Sequence, residues 1–222
     1  MSRKAVSRAL IAEFLGSMFL VMAAISPVIL FTHIFDAPKG VTILANAVAV
    51  AFVLCALIEI FGSISGAHFN PVVTMVMLFE KKIEAAKAAL YLVAQFVGGI
   101  VGITFSHLMF FEDIGYLFAA SENSRSGYVF FSEIFGTFIL VLAILLLVKA
   151  KSSKVSIIIG LLVGGQIMST SSTMFANPQV TVARMLTNTP PGIRPLDGVV
   201  FIAMQIIGAL LAYAVYKAIR NC

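Results

Sequence analysis

The sequence predicts an all-α membrane protein with six transmembrane helices and two re-entrant half-helices, arranged as an inverted repeat of three helices. Three observations support this fold class. The 222 residues are 60% hydrophobic and only 11% charged, whereas soluble proteins are about 25% charged. Six apolar segments have the length of membrane spans. Finally, matched motifs recur in the same order in the two halves of the chain, which is the signature of an internal repeat.

The six apolar segments follow one another along the chain. They are Arg8–Phe31, Val41–Phe61, Ala85–Phe110, Tyr128–Lys149, Val155–Ser172 and Leu196–Ile219. An even number of spans puts both termini on one side of the membrane. Of the Lys and Arg residues in the loops, the opposite side receives only Lys39, Arg125 and Arg194. Because basic loops stay in the cytoplasm, both termini are predicted to be cytoplasmic.

Two Asn-Pro motifs, Asn70-Pro71 and Asn177-Pro178, interrupt the apolar sequence. Asn is a good helix N-cap and Pro is favoured at the first helical position, so each motif predicts the start of a helix. The segment from Pro71 to Phe79 is too short to cross the membrane, which indicates a half-helix. Irregular backbone at membrane depth survives only where protein buries it or where it lines a water-filled cavity. The motifs therefore predict a pore, or a packed substitute for one.

The halves of the chain match beyond these motifs. The segment from Ala12 to Ser17 matches the segment from Ser132 to Thr137, and Gln95 with its neighbours matches Gln205. Three spans in each half is an odd number, so the halves must have opposite orientations, and the functional site is predicted near the midplane. Residues 1–222 are predicted to form one channel domain, with repeats at about 8–110 and 128–219 and an external connection at Ser121–Gly127.

The paired Asn-Pro motifs resemble those of the aquaporin (major intrinsic protein) family, and the resemblance runs from about Arg8 to Arg220. It implies two half-helices that meet head to head in the membrane, forming a passive channel for water and small uncharged solutes. It also implies a homotetramer with one pore in each subunit. The pore centre would comprise Asn70, Pro71, Asn177 and Pro178, with amide donors next to two helix N-termini that each carry about half a positive charge.

The predicted selectivity filter departs from the family pattern. Most members carry an Arg three residues after the second Asn, and this chain has Val180 there. An alignment without gaps assigns Val50, Gly165 and Met174 to the other filter positions, which predicts a wider and less polar filter than that of a water channel. Two interpretations of Arg184, one turn farther out, stay open. Its guanidinium reaches toward the constriction, or it pairs with loop carbonyls in the outer vestibule.

The run from Ser171 to Arg184 resembles a bacterial branch of the family that has a non-arginine filter and is often associated with arsenic resistance. This resemblance implies glycerol-like solutes or neutral metalloid hydroxides such as arsenite. It also implies location in the bacterial inner membrane. Thr181 stands where glycerol facilitators typically carry Asp.

Glu13 and Glu133 lie at matching places inside predicted spans. A carboxylate inside the membrane costs about 2.5–3.5 kcal/mol even on translocon scales, so each needs a role. The resemblance implies that they accept hydrogen bonds from the backbone of the re-entrant loops. Coupling of transport to protons is the alternative. Two other functions therefore remain open, namely an ion-coupled secondary transporter of a small solute, which can also use broken helices, and a non-conducting membrane scaffold.

Other features of the composition predict no chemistry. Cys55 and Cys222 have no metal-ligand spacing and cannot be assigned as a pair. The three histidines have no spacing that suggests a catalytic triad, so we predict no enzyme, no cofactor and no metal. The net charge of +5 arises from short loops and is explained by membrane orientation, so no nucleic-acid partner is predicted. The expected partners are the lipid bilayer, water and small uncharged solutes.

Overall fold

The computed structural model describes residues 3–221, and Cys222 lies outside that range. Throughout these residues the regular structure is helical, which confirms the all-α prediction. The nine α-helices in residues 3–221 are α1 Arg3–Ile29, α2 Lys39–Ser65, α3 Pro71–Phe79, α4 Ala85–Met109, α5 Phe111–Ile114, α6 Tyr128–Lys149, α7 Val155–Ser169, α8 Pro178–Met185 and α9 Pro195–Asn221. A π-helical turn, Leu30–Ile34, extends α1.

Six of these helices correspond to the predicted spans. Helices α1, α2, α4, α6 and α9 are long and apolar enough to cross a membrane, and α7 is a shorter apolar helix. With 15 residues, α7 is about 22 Å long. We call the end of the molecule where α1 begins and α9 ends the inner end, and the opposite end the outer end.

The helices pack with the symmetry of the predicted repeat. Helix α1 packs against α4 in the first half, and α6 packs against α9 in the second half. Between the halves, α2 packs against its counterpart α7, and the half-helices α3 and α8 contact each other. Each half-helix also packs on a long helix of the other repeat, since α3 contacts α9 and α8 contacts α4. The two halves therefore enclose α3 and α8.

Two glycines at matching positions allow close helix contacts. An added Cβ on Gly98 of α4 would overlap the backbone carbonyl of Phe14 on α1. An added Cβ on Gly208 of α9 would overlap the carbonyl of Ile134 on α6 in the same way. Because the hydrophobic effect does not drive association of helices within lipid, such small-residue contacts are what bring membrane helices together.

Large apolar side chains cover the outward faces of the long helices. Phe52 is 70% exposed, Val93 is 62% exposed and Leu161 is 64% exposed. An apolar surface of this extent is unfavourable in water and suits contact with lipid. With its apolar spans, the chain is therefore an integral membrane protein.

Candidate functional site

Both half-helices begin at the Asn-Pro motifs, which confirms the predicted helix starts. Asn70 caps α3 and Asn177 caps α8, each in an extended backbone conformation. The side-chain oxygen of Asn70 accepts a hydrogen bond from the Val72 N–H (3.1 Å), and that of Asn177 accepts one from Gln179 (3.2 Å). Pro71 and Pro178 occupy the first helical positions, where no N–H is needed.

The two capping amides also join the half-helices to each other. Asn70 Nδ2 donates to the carbonyl of Ala176 (2.8 Å), and Asn177 Nδ2 donates to the carbonyl of Phe69 (2.9 Å). An amide nitrogen has two N–H donors, so each Asn keeps a second donor beyond this crossed pair. Both Asn side chains line the central cavity described below. The N-termini of α3 and α8 thus meet, and the remaining amide donors are at the meeting point.

The loops that lead into the half-helices have unusual backbone conformations. Ala67 and Phe69 before α3 have positive φ, as do Thr173, Met174 and Ala176 before α8. Non-glycine residues rarely adopt this region, and such residues persist only where the surroundings hold them. The two loops therefore need anchors within the membrane.

Glu13 anchors the first loop. Its Oε1 accepts hydrogen bonds from the Ser65 hydroxyl (2.6 Å) and the His68 N–H (2.9 Å). Its Oε2 accepts from the Phe69 N–H and from Gln95 Nε2, both at 2.8 Å. The carboxylate is completely buried, and four donors offset the cost of that burial.

Glu133 anchors the second loop in the equivalent way. It accepts hydrogen bonds from the N–H groups of Phe175 and Ala176, both at 2.9 Å, and from Gln205 Nε2 at 2.8 Å. Gln205 also donates to Thr181 on α8, as Gln95 does to Thr74 on α3. Sequence reasoning noticed Gln95 and Gln205 as matched residues but gave them no role. The signal that could have indicated their role was a polar residue repeated at equivalent places in two spans.

A cavity of about 110 Å³ runs along the meeting point of the half-helices. Toward the inner end it is lined by Ile58, Met77 and Val148, and toward the outer end it reaches Arg184. Most of its lining is aliphatic, and Asn70 with Asn177 interrupts that lining midway. A narrow apolar passage with amide donors at its centre suits a small solute that carries no charge.

Four of the five predicted filter residues line this cavity. They are Val50, Met174, Val180 and Arg184, all of them buried.

The prediction for Gly165 is wrong. Gly165 is exposed, has open space around it and is absent from the cavity lining. Two residues farther along α7, Ile167 is buried and lines the cavity. Residues 170–176 form an irregular connection between α7 and Asn177. Counting residues back from Asn177 through this connection therefore selected a residue on the wrong face of α7. Ile167 was not predicted from the sequence. Finding it would have required knowing which face of α7 points toward the cavity.

Arg184 lies where the central cavity meets a larger outer cavity. The two cavities share Arg184 and Ile167 in their lining. The guanidinium stacks on the Phe175 ring at 4.0 Å and donates to the carbonyls of Pro191 (3.5 Å) and Ala24 (3.3 Å). It therefore pairs with carbonyls, one of them in the outer loop, and also borders the passage, so features of both interpretations are present.

The outer cavity is wide and polar. Its volume is about 830 Å³, and Thr42, Asn46 and Asn123 are among the residues that line it. Arg125 also lines it, and its backbone N–H donates to Asp197 at 2.8 Å. Burial lowers the pKa of the Arg125 guanidinium, and the carboxylate of Asp197 partly opposes that shift. This cavity forms an open vestibule in front of the narrow passage.

An inverted pair of helix triplets, with two half-helices capped by Asn and meeting at a narrow lined cavity, defines a membrane channel. The major intrinsic protein family model matches residues 1–176. The chain belongs to the major intrinsic protein family.

Individual relatives agree with this assignment. Aquaglyceroporin AqpS of Rhizobium meliloti is 34% identical over 212 residues, which cover 96% of this chain and 90% of that protein. Glycerol uptake facilitator protein-like 6 of Lactiplantibacillus plantarum is 34% identical over 62% of each chain. The X-ray structure of the aquaglyceroporin from Plasmodium falciparum superposes with a TM-score of 0.74, covering 95% of each chain at 19% identity. The last comparison supports the fold alone.

Proposed function

We propose that this protein is a passive channel for water and small uncharged solutes, which cross the membrane through the central cavity. One observation carries the proposal, namely the narrow aliphatic passage in which Asn70 and Asn177 present amide donors where the half-helices meet. A solute oxygen would accept from these amides while its remaining surface contacts aliphatic side chains. An ion would lose its hydration there without compensation, at a large cost in free energy.

The filter is proposed to consist of Val50, Ile167, Met174, Val180 and Arg184. Four of these side chains are apolar, and the one charged group is partly engaged by the ring of Phe175 and two carbonyls. Such a filter offers aliphatic contact to carbon-bearing or weakly hydrated solutes as well as a cationic edge to hydroxyl oxygens. We therefore propose glycerol-like solutes, and neutral metalloid hydroxides such as arsenite, as cargo besides water. The names of the bacterial relatives support the glycerol part.

The buried acids argue against an ion-coupled transporter. Every oxygen of Glu13 and Glu133 already accepts at least one hydrogen bond from a loop backbone or a side chain. Neither residue lines the central cavity. Proton coupling would need a carboxylate that the solute path reaches, so a structural role for both acids fits better. The lined passage likewise argues against a non-conducting scaffold.

The setting of the channel is also a proposal. The concentration of Lys and Arg at the inner end favours cytoplasmic termini. The resemblance to a bacterial branch favours the inner membrane, and the family resemblance favours a homotetramer with a pore in each subunit. We propose no covalent chemistry for this site.

Stopped-flow light scattering on proteoliposomes tests the proposed solute class. Water, glycerol and neutral arsenite permeabilities would be compared for the wild type and Val180→Arg. We expect the wild type to pass all three solutes. A second guanidinium in the passage should reduce glycerol and arsenite permeability about tenfold, an added barrier of about 1.4 kcal/mol, while water still passes.

Val180→Ala is the matched control, because it changes the same position without adding charge or volume. Its glycerol permeability should equal or exceed that of the wild type. If the wild type passed water alone, the wide-filter proposal would be wrong while the channel proposal would stand. If Val180→Arg left glycerol permeability unchanged, Val180 would not belong to the filter.

A further inference from the structure

A third cavity, of about 410 Å³, opens at the inner end beside the central passage. It lies where α3, α6 and α9 end, and it shares Met77 and Val148 with the lining of the central cavity. An occupant of this cavity would therefore stand next to the inner mouth of the passage.

Cationic side chains dominate this cavity. Lys82, Lys149, Lys151 and Arg220 line it, and Glu80 is the one carboxylate among its described lining residues. Glu80 is already engaged, because it pairs with Arg220 and accepts a hydrogen bond from the Tyr216 hydroxyl (3.5 Å). The three lysines are solvent-exposed. The cavity thus has an excess of positive charge that its own carboxylate does not neutralise.

The placement of these charges fits a phosphate group at the membrane surface. Lys82 follows α3, which ends at Phe79, while Lys149 is the last residue of α6 and Lys151 follows it. The three lysines therefore stand where apolar helices end, at the level of lipid headgroups. One wall of the cavity is apolar, formed by Met77, Leu145 and Val148. Lysine ammonium groups bind phosphate oxygens through charge-assisted hydrogen bonds, and basic pockets between membrane helices bind anionic headgroups.

We propose that this inner basic cavity is a binding site for a phosphate group, held by Lys82, Lys149 and Lys151. Arg220 forms the back of the site, where its pairing with Glu80 fixes the end of α9 against the end of α3. The phosphate can come from an anionic phospholipid or from a small phosphate in the cytoplasm. In the first case the apolar wall would contact the glycerol and acyl part of the lipid.

Two binding measurements on the full chain, purified in detergent, test the proposal. Native mass spectrometry would compare retained phosphatidylglycerol with retained phosphatidylcholine, and calorimetric titration at constant ionic strength would measure binding of inorganic phosphate. The variant is the triple substitution Lys82→Gln, Lys149→Gln and Lys151→Gln. Removal of three lysines should weaken binding about a hundredfold, because each contributes about fivefold at an anionic site.

The triple substitution Lys81→Gln, Lys154→Gln and Lys217→Gln is the matched control, since it removes the same charge at the same end from residues outside the cavity lining. It should bind like the wild type. If the first variant does not fold, Lys149→Gln alone should weaken binding about fivefold.

The two measurements also distinguish the sources of phosphate. Preferential retention of phosphatidylglycerol without binding of inorganic phosphate would identify a lipid site, and binding of both would identify a site open to either. The proposal is overturned if the wild type neither prefers phosphatidylglycerol nor binds inorganic phosphate. Equal losses in the variant and its control would overturn it as well.

Discussion

Arg184 is held by contacts within the protein and also lines the path between the two cavities. Its guanidinium is buried and stacked on Phe175, with hydrogen bonds to the carbonyls of Ala24 and Pro191. At the same time it lines both the narrow passage and the outer vestibule. A buried charge needs partners, and these partners hold the guanidinium at the boundary between the two cavities. Most members of the family carry the filter Arg at the position of Val180. In this chain the guanidinium of Arg184, one helical turn beyond Val180, lies near that position instead.

Arg184→Met should therefore widen the boundary between the two cavities. We expect glycerol permeability to rise by up to about tenfold, the effect of removing a barrier of about 1.4 kcal/mol. Stopped-flow light scattering on proteoliposomes of matched protein content measures the change. Arg194→Met, which removes an exposed arginine at the outer end, serves as the control. Unchanged glycerol permeability in Arg184→Met would show that the guanidinium does not limit the passage.

Glu13 holds a strained loop, so its loss should destabilise the protein. Glu13→Ala leaves the N–H groups of His68 and Phe69 without their acceptor, at a cost of about 1–3 kcal/mol for each buried donor. The thermal unfolding midpoint in detergent should fall clearly. Glu59→Ala provides the control, because Glu59 is exposed and accepts a hydrogen bond from the Ser156 hydroxyl, not from a re-entrant loop. Equal midpoints for the two variants would contradict the anchoring role.

Local contacts were predictable from the sequence, whereas positions that depend on an irregular loop were not. Asn70 and Asn177 were predictable because capping is a local interaction, set by an amide and the next few backbone N–H groups. Ile167 of α7, which lines the central cavity, was not predictable, because its assignment depends on the helix phase before an irregular loop. In that loop Thr173, Met174 and Ala176 have positive φ, a conformation that local sequence does not specify. The prediction therefore selected Gly165 in place of Ile167.

The same contrast holds between elements. The positions of α3 and α8 followed from short apolar segments after Asn-Pro, and the long helices followed from their apolar length. The side-chain network that fixes the half-helices to α1, α4, α6 and α9 could not be predicted from the sequence. Gln95 of α4 donates hydrogen bonds to Glu13 of α1 and to Thr74 of α3. Such long-range contacts exist only once the helices have packed.

Close packing of α1 on α4 gives a testable prediction. Gly98→Ala should push the helices apart, because the new Cβ would overlap the Phe14 carbonyl, and overpacking typically costs about 1–3 kcal/mol. Gly208→Ala should act alike in the second repeat. The readout is the fraction of monodisperse protein that survives a heating series in detergent.

Gly62→Ala is the control for this experiment, since the Cβ added there would meet no atom within 4 Å beyond the backbone of its own helical turn. Alanine is also a better helix former than glycine, so this variant should be as stable as the wild type or slightly more stable. If Gly98→Ala were equally stable, the helices would have room to adjust and the close contact would not be required.

The inverted repeat explains why one cavity serves both halves of the molecule. Helix α2 packs on α7 and α3 meets α8, so equivalent parts of each repeat face each other across the passage. An even number of spans then places both termini at the inner end. The bias of Lys and Arg toward that end predicts that it faces the cytoplasm.

Cysteine labelling in intact bacterial cells tests this orientation. In a background with Cys55→Ser and Cys222→Ser, Ser126→Cys lies at the outer end and Ser153→Cys at the inner end, and both serines are exposed. A membrane-impermeant maleimide should label Ser126→Cys in intact cells. It should label Ser153→Cys only after permeabilisation. The reverse pattern would invert the proposed topology.

The most direct test of the central claim is the glycerol and water permeability of wild-type proteoliposomes against protein-free liposomes, followed by light scattering over a range of temperatures. A passive passage lined as described predicts faster equilibration of both solutes down their gradients, with a weaker temperature dependence than the lipid bilayer. Rates and temperature dependence equal to those of protein-free liposomes, at verified protein density, would contradict the channel function.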